Sequence, residues 1–111
     1  MAAYLIAICR GATDRRGLEE YWERVMPTFQ GIDIKPLAVY SPFKVMEGKG
    51  PVEGIVMIEF PDMDTAASWY QSPAYQKVRP LRTGAADVEF IFLESGIVPV
   101  EGRMPHIKHS R

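Results

Sequence analysis

Apolar residues along the chain fall into four short runs separated by segments with helical or turn patterns. We predict strands at Tyr4–Cys9, Leu37–Met46, Ile55–Phe60 and Asp87–Glu94, because β-branched and aromatic residues dominate these runs and turn residues bound them. The first, third and fourth runs are apolar on both faces, which is typical of strands covered on both sides. The second run is interrupted at Ser41-Pro42. Since proline cannot donate to a sheet ladder, this strand is expected at a sheet edge or to be bulged.

The segment between the first two strands has the pattern of an amphipathic helix. Its apolar positions follow i, i+3, i+4, i+7 spacing and form one stripe: Leu18, Tyr21, Trp22, Val25, Met26 and Phe29. Thr13 or Asp14 is predicted to cap the helix. Pro27 lacks an N–H and clashes with the preceding turn, so the regular helix should end or kink just before it.

Two shorter helices are predicted between the third and fourth strands. Asp62 is expected to cap the first of them, Met63–Tyr70. Ser72 should cap the second, with Pro73 at the first helical position, where a missing N–H costs nothing. Gly84 is expected to end this helix.

The resulting order, β-α-β-β-α-β, predicts an α+β domain of the ferredoxin-like type over residues 1–96, an antiparallel four-stranded sheet with its helices on one face. Because the helices cover only one face of strands that are apolar on both, something else has to cover the other face. A second copy of the chain would do so by closing two sheets into a dimeric α/β barrel. The sequence therefore predicts a homodimer.

The C-terminal extension, residues 97–111, has too many apolar side chains for a solvated terminus. They are Val98, Val100, Met104 and Ile107. Two prolines prevent a regular helix through the segment, so burial would require extended chain lying along an existing surface. We expect the extension to pack on the domain or on the partner subunit near its pocket.

Charge and cysteine content narrow the function classes. The chain has 13 basic and 14 acidic side chains without long runs of one sign, so it lacks the electrostatic pattern of proteins that bind nucleic acid or an anionic membrane. The single cysteine, Cys9, excludes an intrachain disulfide, which favours a reducing compartment and a cytoplasmic location. The apolar N-terminal run is too short for a membrane span. A small neutral or singly charged molecule is the expected ligand.

Three charged residues are candidate catalytic groups. Glu59 lies in an apolar strand, where a carboxylate either finds partners or has a raised pKa, as a general acid or base requires. Arg79 and Arg82 lie three residues apart on one helix, where their guanidinium groups could stabilise a carboxylate or enolate oxygen. The structural alternatives are a salt-bridged Glu59 and arginines that cover the helix surface with their aliphatic stems.

Aromatic residues and one histidine are candidate substrate-binding groups. Helical spacing favours a core position for each aromatic side chain taken singly, but together they predict an aromatic pocket wall. The set is Tyr21, Trp69, Tyr70 and Tyr75, with Tyr40 from the second strand and His106 from the extension. The other histidine, His109, is three residues from His106, but no third metal ligand is fixed by spacing. Solvent exposure is the alternative for both histidines. No phosphate loop or dinucleotide motif is present, so neither a metal nor a cofactor is expected.

The segment from Val56 to Gly96 resembles the signature of the family called domain of unknown function 1330, a branch of the dimeric α/β-barrel superfamily. The resemblance depends chiefly on the spacing from Glu59-Phe60-Pro61 to Trp69-Tyr70-x-Ser72-Pro73-x-Tyr75 and covers roughly residues 3–96. It implies the same fold, a homodimer and a pocket between sheet and helices. Relatives in the superfamily include cofactor-free monooxygenases, isomerases, polyketide cyclases and haem enzymes. The family usually has Arg-Gly-Gly where this chain has Val39-Tyr40-Ser41-Pro42, which leaves an anion site built on that arginine without its residue.

Two hypotheses for function follow. The first is a small cofactor-independent enzyme, of the isomerase, cyclase, lyase or oxygenase type, that acts by proton transfer on a small carbonyl or aromatic compound. The second is a homodimer that binds a small ligand without catalysis or has a purely structural role. A cavity of several hundred cubic ångströms faced by Glu59 or an arginine would favour the enzyme.

Overall fold

The sheet of the computed structural model, which describes residues 1–107, has four antiparallel strands. They are β1 (Ala3–Ala12), β2 (Lys35–Val39), β3 (Gly54–Phe60) and β4 (Ala86–Glu94). Their order across the sheet is β2-β3-β1-β4. This is the ferredoxin-like α+β arrangement, and it confirms the prediction from the order of elements.

Three helices connect the strands and pack on one face of the sheet. They are α1 (Arg15–Val25), α2 (Met63–Gln71) and α3 (Pro73–Thr83). The Asp14 side chain accepts a hydrogen bond from the Gly17 amide at 3.0 Å and caps α1. The Ser72 hydroxyl accepts one from the Tyr75 amide at 3.2 Å and caps α3. Both caps are those predicted from the sequence.

Pro27 has the predicted effect on the first helix. Regular α-helix ends at Val25, and Met26–Phe29 forms a 3-10 turn with the proline in its first turn. The turn directs Phe29 into the core, where its ring stacks on Trp69 with a centroid distance of 4.6 Å.

The second strand is shorter than predicted. A bulge between Pro36 and Ala38 interrupts its pairing with β3, and pairing ends near Tyr40, whose φ of 52° lies in the left-handed region. Residues 41–53 have no regular structure. The strand prediction is therefore wrong for Phe43–Met46, because the chain leaves the sheet before Pro42, which has no N–H for a ladder.

The middle of the other face of the sheet is apolar and has no cover within residues 1–107. Its side chains alternate with those that face the helices, and the strand registers place Ile6 opposite Met57 on β3 and Ile91 on β4. Ile91 and Leu93 are 42% and 52% exposed. Such a surface is unusual for a chain that functions as a monomer.

The described part of the C-terminal extension leaves the sheet after β4. Residues 96–107 are all exposed, including Ile97 at 88% and Val100 at 68%. The extension therefore does not bury its apolar side chains on its own domain, and the alternative, packing on a partner subunit, stays a prediction. No helix in the described part of the chain has the length and apolar character needed to cross a membrane.

Candidate functional site

A cavity of about 550 Å³ lies between α1 and the helix-covered face of the sheet. Strand residues at every second position contribute to its floor, α1 forms one wall, and Trp69 of α2 and Arg82 of α3 also line it. Aromatic side chains make up much of the lining: Tyr21, Trp22, Phe29, Tyr40, Trp69 and Phe90. A volume of this size accommodates a small organic molecule.

Arg82 is the only charged side chain that is buried among the described residues, with 6% of its surface exposed. Its position on α3 places it seven residues after the fully buried Tyr75, so both face the same side of the helix. Its guanidinium carbon lies 4.0 Å from the centre of the Phe90 ring. A cation placed over an aromatic face is attracted by the ring quadrupole.

Arg82 has no carboxylate partner within residues 1–107, in which the ion pairs involve other arginines. Its Nε donates a hydrogen bond of 3.3 Å to the Tyr75 hydroxyl. No buried side-chain nitrogen in this part of the chain lacks a hydrogen-bond partner. The guanidinium also lies beside the Tyr21 hydroxyl, whose pKa it lowers in part. Since Arg82 lines the cavity and a guanidinium has five N–H donors, the donors that these two phenols do not use are available there to an anionic oxygen.

Two phenols extend the polar end of the cavity. The hydroxyl groups of Tyr21 and Tyr75 are 2.9 Å apart, and Tyr21 lines the cavity. Burial, followed by the neighbouring Tyr75, raises the pKa of Tyr21 well above its ordinary value, although Arg82 lowers it in part. Tyr21 therefore stays protonated at neutral and moderately alkaline pH and serves as a neutral hydrogen-bond donor or acceptor.

Trp69 forms a rigid part of the wall. It is 1% exposed, and its indole N–H donates a hydrogen bond of 2.9 Å to the Thr28 hydroxyl. Since the indole N–H is satisfied outside the cavity, the ring contributes apolar surface to it. Trp69 is therefore one of the predicted site residues that line this cavity.

Glu59 does not line this cavity, so the prediction that it shares a cavity with an arginine is wrong. Ile58 and Phe60 point toward the helices and are buried. The intervening Glu59 points to the opposite face of the sheet, opposite Tyr4 on β1 and Lys35 on β2. Both faces of β3 are apolar, and the sequence alone gave no indication of which face the helices cover.

Four other predicted site residues also lie outside the cavity lining. Arg79 is half-buried, and its Nε donates to the Gln76 side chain at 3.0 Å. Tyr70 packs on Tyr75 and Phe90 in the core. Tyr75 itself is fully buried behind the lining, where its hydroxyl accepts from Arg82 and its ring packs on Trp69. His106 is exposed on the extension, and His109 lies outside the described residues.

Four of the nine predicted residues therefore line one cavity: Arg82, Tyr21, Trp69 and Tyr40. Sequence reasoning missed Phe90 and Arg15 in the lining. The apolar residues of the fourth strand identified Phe90 as a strand residue, but they did not show that its side chain faces the helices. Arg15 lies seven residues before Trp22 on α1, and its guanidinium is 5.2 Å from that ring, a helical spacing that could have identified it.

A family model described as Domain of unknown function (DUF1330) matches residues 2–96 of the chain. No curated protein shows significant sequence similarity to it.

Several solved structures share the fold. A protein of unknown function from Rhodopseudomonas palustris is 14% identical, with a TM-score of 0.68 over 88% of this chain and 84% of that one. A dimeric ferredoxin-like protein of unknown function from Jannaschia sp. CCS1 is 12% identical, with a TM-score of 0.59 over 86% and 100%. SnoaB, a cofactor-independent oxygenase from Streptomyces nogalater, is 7% identical, with a TM-score of 0.54 over 87% and 94%. At these identities the similarity establishes the fold alone.

Proposed function

This chain belongs to the DUF1330 family, whose description assigns no activity, and we propose from its cavity that it is a cofactor-independent enzyme acting on a small aromatic carbonyl compound. The observation that supports this most is the buried Arg82, which lines an apolar cavity without a carboxylate partner in the described residues. A buried cation of this kind is suited to stabilise negative charge that develops on a bound molecule.

The reaction class is proton transfer next to a carbonyl group. Loss of a proton from the α carbon moves the electron pair of the C–H bond onto the carbonyl oxygen and forms an enolate. Arg82 would bind that oxygen through its Nη atoms. If Tyr75 accepts from Arg82 and donates to Tyr21, the Tyr21 hydroxyl proton is free to bond the same oxygen. Both groups stabilise the enolate more than the ketone, as catalysis requires.

The group that accepts the proton is not Glu59, which the sequence had suggested for this role. Glu59 is on the other face of the sheet, and the lining formed by the described residues contains no carboxylate or imidazole. The proton therefore passes to water or hydroxide that enters the cavity. The fold is compatible with chemistry that needs no cofactor, since SnoaB, which shares it, is described as a cofactor-independent oxygenase.

The lack of a carboxylate or imidazole in the described lining, and hence of an evident general base, also favours a second function, binding of a small anionic ligand without catalysis. In this case the ligand would be a carboxylate or phenolate that is already ionised in solution. Arg82 would neutralise its charge, and the aromatic walls would enclose its body.

An exchange experiment distinguishes the two functions. Beta-tetralone is an aromatic ketone with acidic α protons, and NMR in deuterated water follows their replacement by deuterium. The wild-type protein should accelerate this exchange, and Arg82→Met should lose roughly 10²-fold of the acceleration, the typical effect of removing one oxyanion donor. Arg79→Met, a change of the same kind outside the cavity, is the matched control. If the wild-type protein gives the same exchange rate as buffer alone, the enzyme hypothesis is refuted and the ligand-binding hypothesis remains.

The functional unit is proposed to be a homodimer in which the apolar open faces of two sheets meet. The exposed Ile91 and Leu93 and the register partners Ile6 and Met57 supply the contact surface. The ferredoxin-like protein from Jannaschia is described as dimeric, which supports this assembly. The small-molecule cavity lies on the other side of each sheet, so each subunit would keep its own site.

A further inference from the structure

Tyr40 lines the cavity and has an unusual backbone conformation. It is a non-glycine residue with a φ of 52°, a conformation that costs free energy unless the surroundings enforce it. Its amide nevertheless donates a 2.9 Å hydrogen bond to the Ile55 carbonyl, which extends the pairing of β2 with β3 by one bond. The backbone is therefore held while the side chain is turned back over the sheet.

The Tyr40 ring occupies space that a side chain at position 54 would need. A Cβ built on Gly54 would overlap the ring at its Cδ1 and Cε1 atoms. Gly54 is the first residue of β3 and pairs with Cys9, so both positions face the cavity side of the sheet. Glycine at this point allows the ring to lie directly on the β3 backbone.

Contacts on two further sides hold the ring in place. The Trp22 ring of α1 meets it edge-to-face at a centroid distance of 5.0 Å. On the sheet side lies Cys9, which is 3% exposed. The pKa values of the Cys9 thiol and the Tyr40 hydroxyl are both raised, mainly by burial, and each group also affects the pKa of the other. Both stay protonated at neutral pH, so neither group adds a charge to the cavity.

We infer that Tyr40 is the end wall that limits the length of the ligand, and that Gly54 is the positioning residue that lets it do so. Tyr40 and Arg82 line the same cavity, Tyr40 just after the edge strand β2 and Arg82 over Phe90 of the opposite edge strand β4. The ligand then has its anionic oxygen at Arg82 and its apolar end against the Tyr40 ring. A molecule one fused ring too long would have to displace Tyr40 from three contacts. The identity of this ligand, but not the position of the wall, rests on the proposed function.

Binding of two aromatic acids tests the inference. Beta-naphthoate and the linear three-ring anthracenecarboxylate differ by one fused ring. Wild type and Tyr40→Phe, which keeps the ring, should bind the shorter acid at least about tenfold more tightly, since a misfit of about 1.4 kcal/mol has this effect. In Tyr40→Ala the ratio of the two affinities should fall to about one. An unchanged ratio in Tyr40→Ala would overturn the inference.

The reactivity of Cys9 gives a second readout that needs no ligand, because the chain has one cysteine. Its rate of reaction with an aromatic disulfide reagent should rise at least about tenfold in Tyr40→Ala and in Gly54→Ala, since thiol access controls such rates. Gly11→Ala is the control, because a Cβ at position 11 meets nothing within 4 Å. If the wild type binds neither acid, the reaction rate of Cys9 alone tests the inference. A faster reaction in both Tyr40→Ala and Gly54→Ala would support Tyr40 as the end wall, and an unchanged rate would overturn it. Acids that bind no more tightly than their amides would instead refute the proposed function and leave the wall intact.

Discussion

Replacement of Arg82 by methionine should abolish ligand binding without destabilising the protein. Methionine keeps most of the aliphatic volume of the arginine side chain and removes its charge. If the arginine had a structural role, the same change would break interactions that hold the fold together. The size of any loss in the free energy of unfolding therefore separates a functional from a structural arginine.

The contacts of Arg82 set the expected magnitude. The desolvated cation–π contact with Phe90, at 4.0 Å, is worth about 2 kcal/mol. The 3.3 Å hydrogen bond to the Tyr75 hydroxyl adds about 1 kcal/mol, and Tyr75 keeps its bond to Tyr21 in the variant. Against these gains, burial of a cation without an anion costs several kcal/mol. We expect the free energy of unfolding to lie within about 1 kcal/mol of wild type, or to increase.

Urea unfolding followed by tryptophan fluorescence measures this difference, and thermal unfolding should give a melting temperature no more than about 4 °C below wild type. Arg82→Ala is the comparison, because it leaves a void and should cost more than the methionine variant. A loss of more than about 2 kcal/mol in Arg82→Met would show that the guanidinium stabilises the fold and would refute the reasoning.

Four further outcomes are expected. Tyr21 has a raised pKa in the folded chain, so its contribution to stability is complete below the ordinary tyrosine pKa of 10.0 and is lost as the pH rises above that value. In Tyr21→Phe the free energy of unfolding should therefore fall less steeply with pH in this alkaline range, and a slope equal to that of wild type would contradict this. Trp69→Ala should cost about 3–5 kcal/mol in urea unfolding, because the side chain is 1% exposed, and a cost under about 1 kcal/mol would be inconsistent with its packing. Ile6→Asp should convert a dimer to a monomer in sedimentation experiments, and a dimer of unchanged affinity would exclude the open sheet face as the interface. Deletion of residues 97–111 should weaken that dimer or open the cavity, whereas unchanged dimer stability and ligand binding would show that the extension covers neither.

The element boundaries followed from local chemistry that a single sequence displays. Asp14 and Ser72 cap helices as predicted, and Pro27 ends the first helix because the missing N–H acts within one turn of its own position. The second strand was predicted too long, since the apolar residues near Met46 have the composition of a strand. Only the tertiary structure shows that they leave the sheet.

The predicted position of Glu59 depended on a choice of sheet face that the sequence does not determine. Alternation along β3 separates Glu59 from Ile58 and Phe60, but with apolar residues on both faces it does not say which set lies under the helices. The position of Arg82 was more predictable, because its seven-residue distance from Tyr75 nearly equals two helical turns. The overlap of Tyr40 with Gly54 joins residues distant in sequence and requires a backbone conformation that no propensity predicts.

Arg82 as the anion-binding group of the cavity is best tested by a crystal structure of the protein with beta-naphthoate. The carboxylate should lie within about 2.7–2.9 Å of the Arg82 Nη atoms, with the fused rings enclosed between α1 and the sheet and their far edge toward Tyr40. A parallel crystal of Arg82→Met should show the cavity without the acid. Naphthoate bound outside the cavity, or inside it with the carboxylate directed away from Arg82, would show that Arg82 does not bind the anionic group.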